Sequence, residues 1–199
     1  MRYAHAVTDV RAAERALMAR VPDGALMQRA ASGLAAVCIS LLGRVYGARV
    51  VVLAGTGDNG GDALFAGARL AARGAWVTAI ATGSGLHEAG AAALRRSGGR
   101  TTEAKGQHAE DAIAAADLII DGILGIGGHG GLREPAATLA GLAAEAAGDG
   151  ALVVATDLPS GVDADTGIVE DAAIEADVTV TFGTIKPGLL VDPGAGYAG

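Results

Sequence analysis

Three glycine-rich stretches hold the residues whose types and spacing suit chemistry. The first is GTGDNGGDAL, residues 55–64, where Gly55, Gly57 and Gly60 have the G-x-G-x-x-G spacing of a dinucleotide loop. Such glycines let the backbone approach a diphosphate at a helix N-terminus. This loop also carries Asp58 and Asp62, and carboxylates repel a diphosphate. The second stretch, DGILGIGGHGGLRE, opens on Asp121 and contains Gly125, Ile126, Gly127, Gly128, His129, Gly130 and Gly131. The third, DLPSGVDADTG, opens on Asp157 and includes Ser160. Asp58, Asp62, Asp121 and Asp157 gathered in a small space would raise one another's pKa and destabilise the fold. A helix cap accounts for one or two of them, Asp62 most easily. Four acids at one crevice call for a compensating cation. Asp121, Asn59, Ser160 and backbone carbonyls are hard oxygen ligands suited to that ion, while loop N–H groups stay available to a phosphate. His129 lies inside a glycine-rich loop; the other histidines are scattered without metal spacing.

Several familiar chemistries are disfavoured. A dinucleotide oxidoreductase wants an acid at the tip of its second strand, and AIATGSG has none there. Gly-Lys-Ser/Thr is absent, and Ser160 sits in LPSGV rather than G-x-S-x-G.

Parallel strands must place these loops. RVVVLA (49–54) is a short β-branched run, as expected of a strand buried on both faces. AWVTAIA, RTTE, ADLIID, ALVVAT and ADVTVTF follow, separated mostly by alanine-rich helical stretches such as GDALFAGARLAARG. Strand alternating with helix gives a mainly parallel sheet covered on both faces. The three stretches follow strands one, four and five, which are neighbours in the order 3-2-1-4-5, so their loops meet at one carboxyl edge. Upstream, Met27, Ala30, Leu34, Val37 and Leu41 recur at helical steps, with Asp23 as the expected N-cap. The chain reads as one α/β domain over 1–199, with a helical arm about 1–47 and a core about 48–199. VDPGAGYAG at its end reads as a turn approaching a further strand or domain.

A net charge of -7 and 3% aromatic residues argue against a nucleic-acid partner. Cys38 is the single cysteine, within LAAVCISLL, and is expected to be a buried structural thiol. The N-terminus lacks a signal-peptide core, and no apolar run is read as reaching about 18 residues, so no membrane partner is expected and the expected location is the cytoplasm.

At these motifs the chain resembles the YjeF N-terminal-domain family, the NAD(P)H-hydrate epimerases. GTGDNGGDAL is similar to that family's G-x-G-N-N-G-G-D-G-L loop, IIDGILGIG to V-D-A-x-x-G-x-G, and VVATDLPSGVDADTG to D-x-P-S-G-x-(D/N)-x-x-x-G. TVTFGTIKPG and PDGALMQRA match two further segments. The resemblance implies a Rossmann-like three-layer α/β/α sandwich, usually a homodimer, acting as an isomerase. Its implied reaction interconverts the R and S epimers of NADHX and NADPHX, reduced cofactors that have gained water across a ring double bond. A partner dehydratase repairs the S form. By position it implies substrate contacts at Asp58, Asn59, Gly60, Gly61 and Asp62, at Gly125 to Gly131, and at Asp157. It implies one potassium ion per subunit at Asn59, Asp121 and Ser160. Asp58, Ala63 and Gln28 depart from the family's Asn, Gly and Glu. Asp157 is the expected general acid/base, its pKa raised by neighbouring carboxylates. The rival readings are a non-catalytic nucleotide- or partner-binding module and a regulatory half of a larger repair enzyme.

Overall fold

The computed structural model describes residues 3–128 and 130–199. Six strands form one sheet: β1 (Arg49–Ala54), β2 (Trp76–Ala81), β3 (Arg100–Glu103), β4 (Leu118–Gly122), β5 (Leu152–Thr156) and β6 (Val178–Val180). All neighbours pair in parallel, in the order β3-β2-β1-β4-β5-β6. The expected order of strands one to five is found, and β6 extends it beyond β5. The central strands are apolar apart from Arg49, Asp121 and Thr156 at or near their ends, because each is covered twice.

One face carries helices α2 (Ala25–Leu42), α3 (Asp58–Ala71) and α4 (Glu88–Arg96). Val50, Val52 and Ala54 of β1 pack there with Leu34, Leu64, Leu70 and Leu94. The other face carries α5 (Gln107–Ala114) and α6 (Ala136–Gly148). There Val51 and Leu53 meet Ile113, Ile119, Leu139 and Val153. Each such Leu, Ile or Val contributes roughly 1.5–3 kcal/mol by leaving water. The result is the α/β/α sandwich expected from the sequence.

Several local expectations are corrected. Helix α3 begins at Asp58 with Gly57 as its N-cap, so the second half of the glycine-rich stretch is helical, and Asp62 lies inside the helix rather than capping it. Two contacts explain the glycines: a Cβ on Gly60 would lie 2.1 Å from the Gly55 carbonyl oxygen, and one on Gly55 2.3 Å from that of Ile123. Helix α2 starts at Ala25 with Gly24, at φ 75°, as its N-cap in place of Asp23. Its buried face is Ala31, Leu34, Ala35 and Cys38, whereas Met27, Ala30 and Val37 line a groove. The helix is apolar nearly all round, so its periodicity pointed weakly to the packed face. It is also 18 residues long with mean hydropathy 1.5, long and apolar enough to cross a membrane, contrary to the sequence reading. Here it packs against α3, where Arg69 donates to Gln28 Oε1 (3.0 Å) and Ser32 Oγ (2.9 Å). Burial pushes the Cys38 thiol up to about 12, as suits an inert structural residue. The end of the chain carries a short helix, α7 (Gly194–Tyr197).

Candidate functional site

The loops after β1, β4 and β5 meet at the carboxyl edge of the sheet and line a crevice of about 1490 Å³. That exceeds the roughly 300–1,000 Å³ usual for drug-sized ligands and suits an extended molecule. Helix α1 (Val7–Met18) and the start of α2 form its other wall. α1 is anchored by Val7, which packs on Leu158 and Val162 and donates its N–H to Asp165 Oδ1 (2.8 Å). A smaller hollow of about 620 Å³ lies among Leu41, Asp117 and Asp149, and none of the glycine-rich loops reaches it.

Asp121, Asn59 and Ser160 are joined in one network. Asp121 is fully buried. Its Oδ2 accepts from the Ser160 N–H (2.8 Å), and its Oδ1 from Ser160 Oγ (2.6 Å) and the Ile123 N–H (3.1 Å). Ser160 Oγ accepts from the Leu124 N–H (2.9 Å), and Asn59 Nδ2 donates to the Leu124 carbonyl (2.8 Å). That carbonyl oxygen is also 3.1 Å from Ser160 Oγ. Burial raises the Asp121 carboxyl to about 6 against the opposing pull of these hydrogen bonds. A buried carboxylate beside a hydroxyl, a carbonyl and an amide, with no bonded cationic side chain among the described residues, has the donor chemistry of a hard-cation site. No group of three or more His, Cys, Asp or Glu with metal-binding proximity occurs among the described residues.

Asp157 occupies different surroundings. It stands at φ 67°, left-handed backbone that Asp tolerates better than most residues. Its Oδ1 accepts from Lys186 Nζ, the Phe182 N–H (3.0 Å) and Thr181 Oγ1 (3.2 Å). Lys186 is 1% exposed and also donates to the Phe182 carbonyl (2.9 Å) and Thr181 Oγ1 (3.1 Å). Asp157 is expected beside carboxylates alone in its role as acid/base, and Asp62 is such a neighbour, but the nearest charged partner of Asp157 is a buried ammonium.

Asp62 is a second acid raised by burial. One of its oxygens is sealed from solvent with no hydrogen-bond partner. Burial, then the charges of Asp157, Asp58 and Glu14, raise its carboxyl from 3.8 to about 8. Between those values the folded chain keeps a proton that the unfolded chain releases. Stability from this group is thus greatest below about pH 3.8 and declines as pH rises toward 8. Asp62→Asn removes that burden, so thermal denaturation is expected to show a Tm above wild type at pH 8, the gap narrowing toward pH 4.

Asp58, Asp62 and Asp157 thus converge, whereas the shift of Asp121 comes from burial and its Ser160 and Ile123 hydrogen bonds, so the expected mutual raising by four acids is corrected to a group that leaves Asp121 out. Gly125 to Gly128, Gly131 and Asn59 line the crevice. Gly130 stands at φ 75°, and His129 lies outside the described residues. Sequence reasoning missed Glu14, which α1 brings in; its carboxyl is raised by burial, then by Asp157. It also missed Arg11, whose Nη2 reaches the Ile126 carbonyl at 3.4 Å. Lys186 carried a usable signal, a lone cation beside the tip of β6.

A doubly wound parallel sheet with three glycine-rich loops at its switch point defines a Rossmann-like protein with a built ligand crevice. Residues 23–188 match the family of the YjeF-related protein N-terminus, and the chain belongs to that family. It is 46% identical over 192 residues to the bifunctional NAD(P)H-hydrate repair enzyme Nnr of Mycobacterium leprae, covering 94% of this chain and 38% of that protein. It is 44% identical to the NAD(P)H-hydrate epimerase of Clavibacter michiganensis, covering 98% of this chain and 86% of that protein. The chain spans under two-fifths of the length of the bifunctional relatives it matches. Among solved structures, yeast YNL200c superposes with a TM-score of 0.79 at 20% identity, over 94% of this chain and 82% of that one.

Proposed function

We propose that this chain is an isomerase that epimerises (R)- and (S)-NAD(P)HX in the crevice at the carboxyl edge of the sheet. The observation that carries the reading is the convergence of Asp58, Asp62 and Asp157 beside three glycine-rich loops, in a chain 44% identical to an epimerase over nearly all its length. The unpaired N–H groups of the first turn of α3 suit the diphosphate, and the loop from Gly125 to Gly131 suits the rest of the nucleotide. The reacting carbon bears a hydroxyl next to the ring nitrogen. Protonating that hydroxyl lets the nitrogen lone pair expel it as water, and water returning to the opposite face inverts the centre. The cationic intermediate is favoured by surrounding carboxylates. Asp157, paired with Lys186, supplies a fixed anion and a proton acceptor.

One potassium ion per subunit, held by Asn59, Asp121 and Ser160, would neutralise Asp121 and fix the loops after β1 and β4. Potassium chloride is expected to raise the Tm relative to tetramethylammonium chloride at equal ionic strength, each 1 kcal/mol of linkage being about 2–4 °C. Ser160→Ala is expected to abolish the rise. The same reading takes the protein as a cytoplasmic homodimer that feeds an S-specific dehydratase, separate or on the same chain. Consumption of (R)-NADHX by such a dehydratase, faster with this protein than without it, tests the function. Tight binding of NADH with no acceleration would favour a non-catalytic module.

A further inference from the structure

Among the described residues, Asp62 is the crevice acid with a buried oxygen that no hydrogen bond satisfies. Asp121 has both oxygens committed to Ser160 and Ile123. Asp157 is committed to Lys186. Asp58 is exposed on the first turn of α3. Asp62, one turn deeper, lines the crevice, and one of its two oxygens is buried behind that surface without a partner. An ionised oxygen so placed is costly, whereas a neutral carboxylic acid has an O–H to donate. The groups around it favour the neutral form: Glu14 from α1, Asp58 from its own helix and Asp157 after β5 are all acidic. The cations on the surrounding walls are Arg11 and Arg15 of α1, Arg29 of α2 and Arg133; His87 abuts Gly61.

We propose that Asp62 protonates the departing hydroxyl while Asp157 receives the proton of the incoming water, an assignment that rests on the epimerase reading above. The Asp62 proton passes to the ring hydroxyl, the C–O bond breaks, and water leaves as the ring nitrogen lone pair forms an iminium. Water then adds to the opposite face, the iminium electrons return to nitrogen, and the surplus proton goes to the Asp157 carboxylate. Solvent in the crevice returns that proton to Asp62. The reverse reaction exchanges the two roles, as an isomerase requires. Two carboxyl groups whose environments differ this far divide acid from base in other enzymes.

The test compares wild type, Asp62→Asn and Asp62→Glu with (R)-NADHX as substrate and NADH as a non-reacting binding probe. Asp62→Asn is expected to lower kcat by about 10²–10⁴-fold, with NADH affinity within about threefold of wild type. Asp62→Glu is expected to recover part of kcat. Wild-type kcat/KM is expected to fall as pH rises through about 8, a readout that holds even if a variant fails to fold. An Asp62→Asn enzyme within threefold of wild-type kcat, or no alkaline fall in the wild type, overturns the assignment to Asp62 alone. A wild type without epimerase activity overturns it together with the proposed function.

Discussion

Replacing Lys186 by methionine is expected to destabilise the fold by about 3–5 kcal/mol, measured by denaturant unfolding at pH 7. The ammonium is 1% exposed, and three of its contacts are fixed: the Asp157 carboxylate, Thr181 Oγ1 and the Phe182 carbonyl. Methionine keeps most of the apolar stem but leaves a largely buried carboxylate facing no cation. Removing one member of such a pair costs more than removing both, because the survivor stays desolvated. The double change Lys186→Met with Asp157→Asn is therefore expected to be more stable than Lys186→Met alone. Equal stability of Lys186→Met and wild type would show that the pair does not hold the loop after β5.

Asp157→Asn is expected to lower kcat by about 10²–10⁴-fold while NADH binding persists. The carboxamide keeps the shape, and its oxygen can still accept from the Phe182 N–H, as Asp157 Oδ1 does at 3.0 Å. It loses the negative charge and the proton affinity that the reaction draws on. Because Lys186 is then left without its anion, the comparison is made at a temperature where both proteins are folded. Unchanged turnover would remove Asp157 from the chemistry. Asp157 also stands at φ 67°, backbone that costs on the order of 1–3 kcal/mol for a non-glycine residue and tends to persist at functional sites.

Much of this was legible because buried parallel strands are written as unbroken apolar runs. RVVVLA and ADLIID announce themselves without neighbours, and once they and ALVVAT are ordered, the loops carrying Asn59, Asp121 and Ser160 must share an edge. Glu14 was not legible, since α1 carries no motif and only tertiary packing swings it over the crevice. The state of Asp62 was hidden for a related reason: the glycine-rich stretch looks like a loop, yet it is helical from Asp58 onward, and the next turn presents Asp62 to the crevice. Lys186 lay in a quoted motif, but its pairing depends on the turn after β6 folding back on Asp157 after β5. For α2, apolar residues on nearly every face left the buried stripe to be chosen by α3 and the sheet.

The most direct measurement follows (R)-NADHX in oxygen-18-labelled water by chiral separation and mass spectrometry, with and without the protein. Expulsion of the hydroxyl in an acid-lined crevice requires protein-dependent inversion, with label entering the ring hydroxyl of the inverted epimer. Inversion with the original oxygen retained, as ring opening and reclosure would give, or no acceleration over the spontaneous rate, would contradict it.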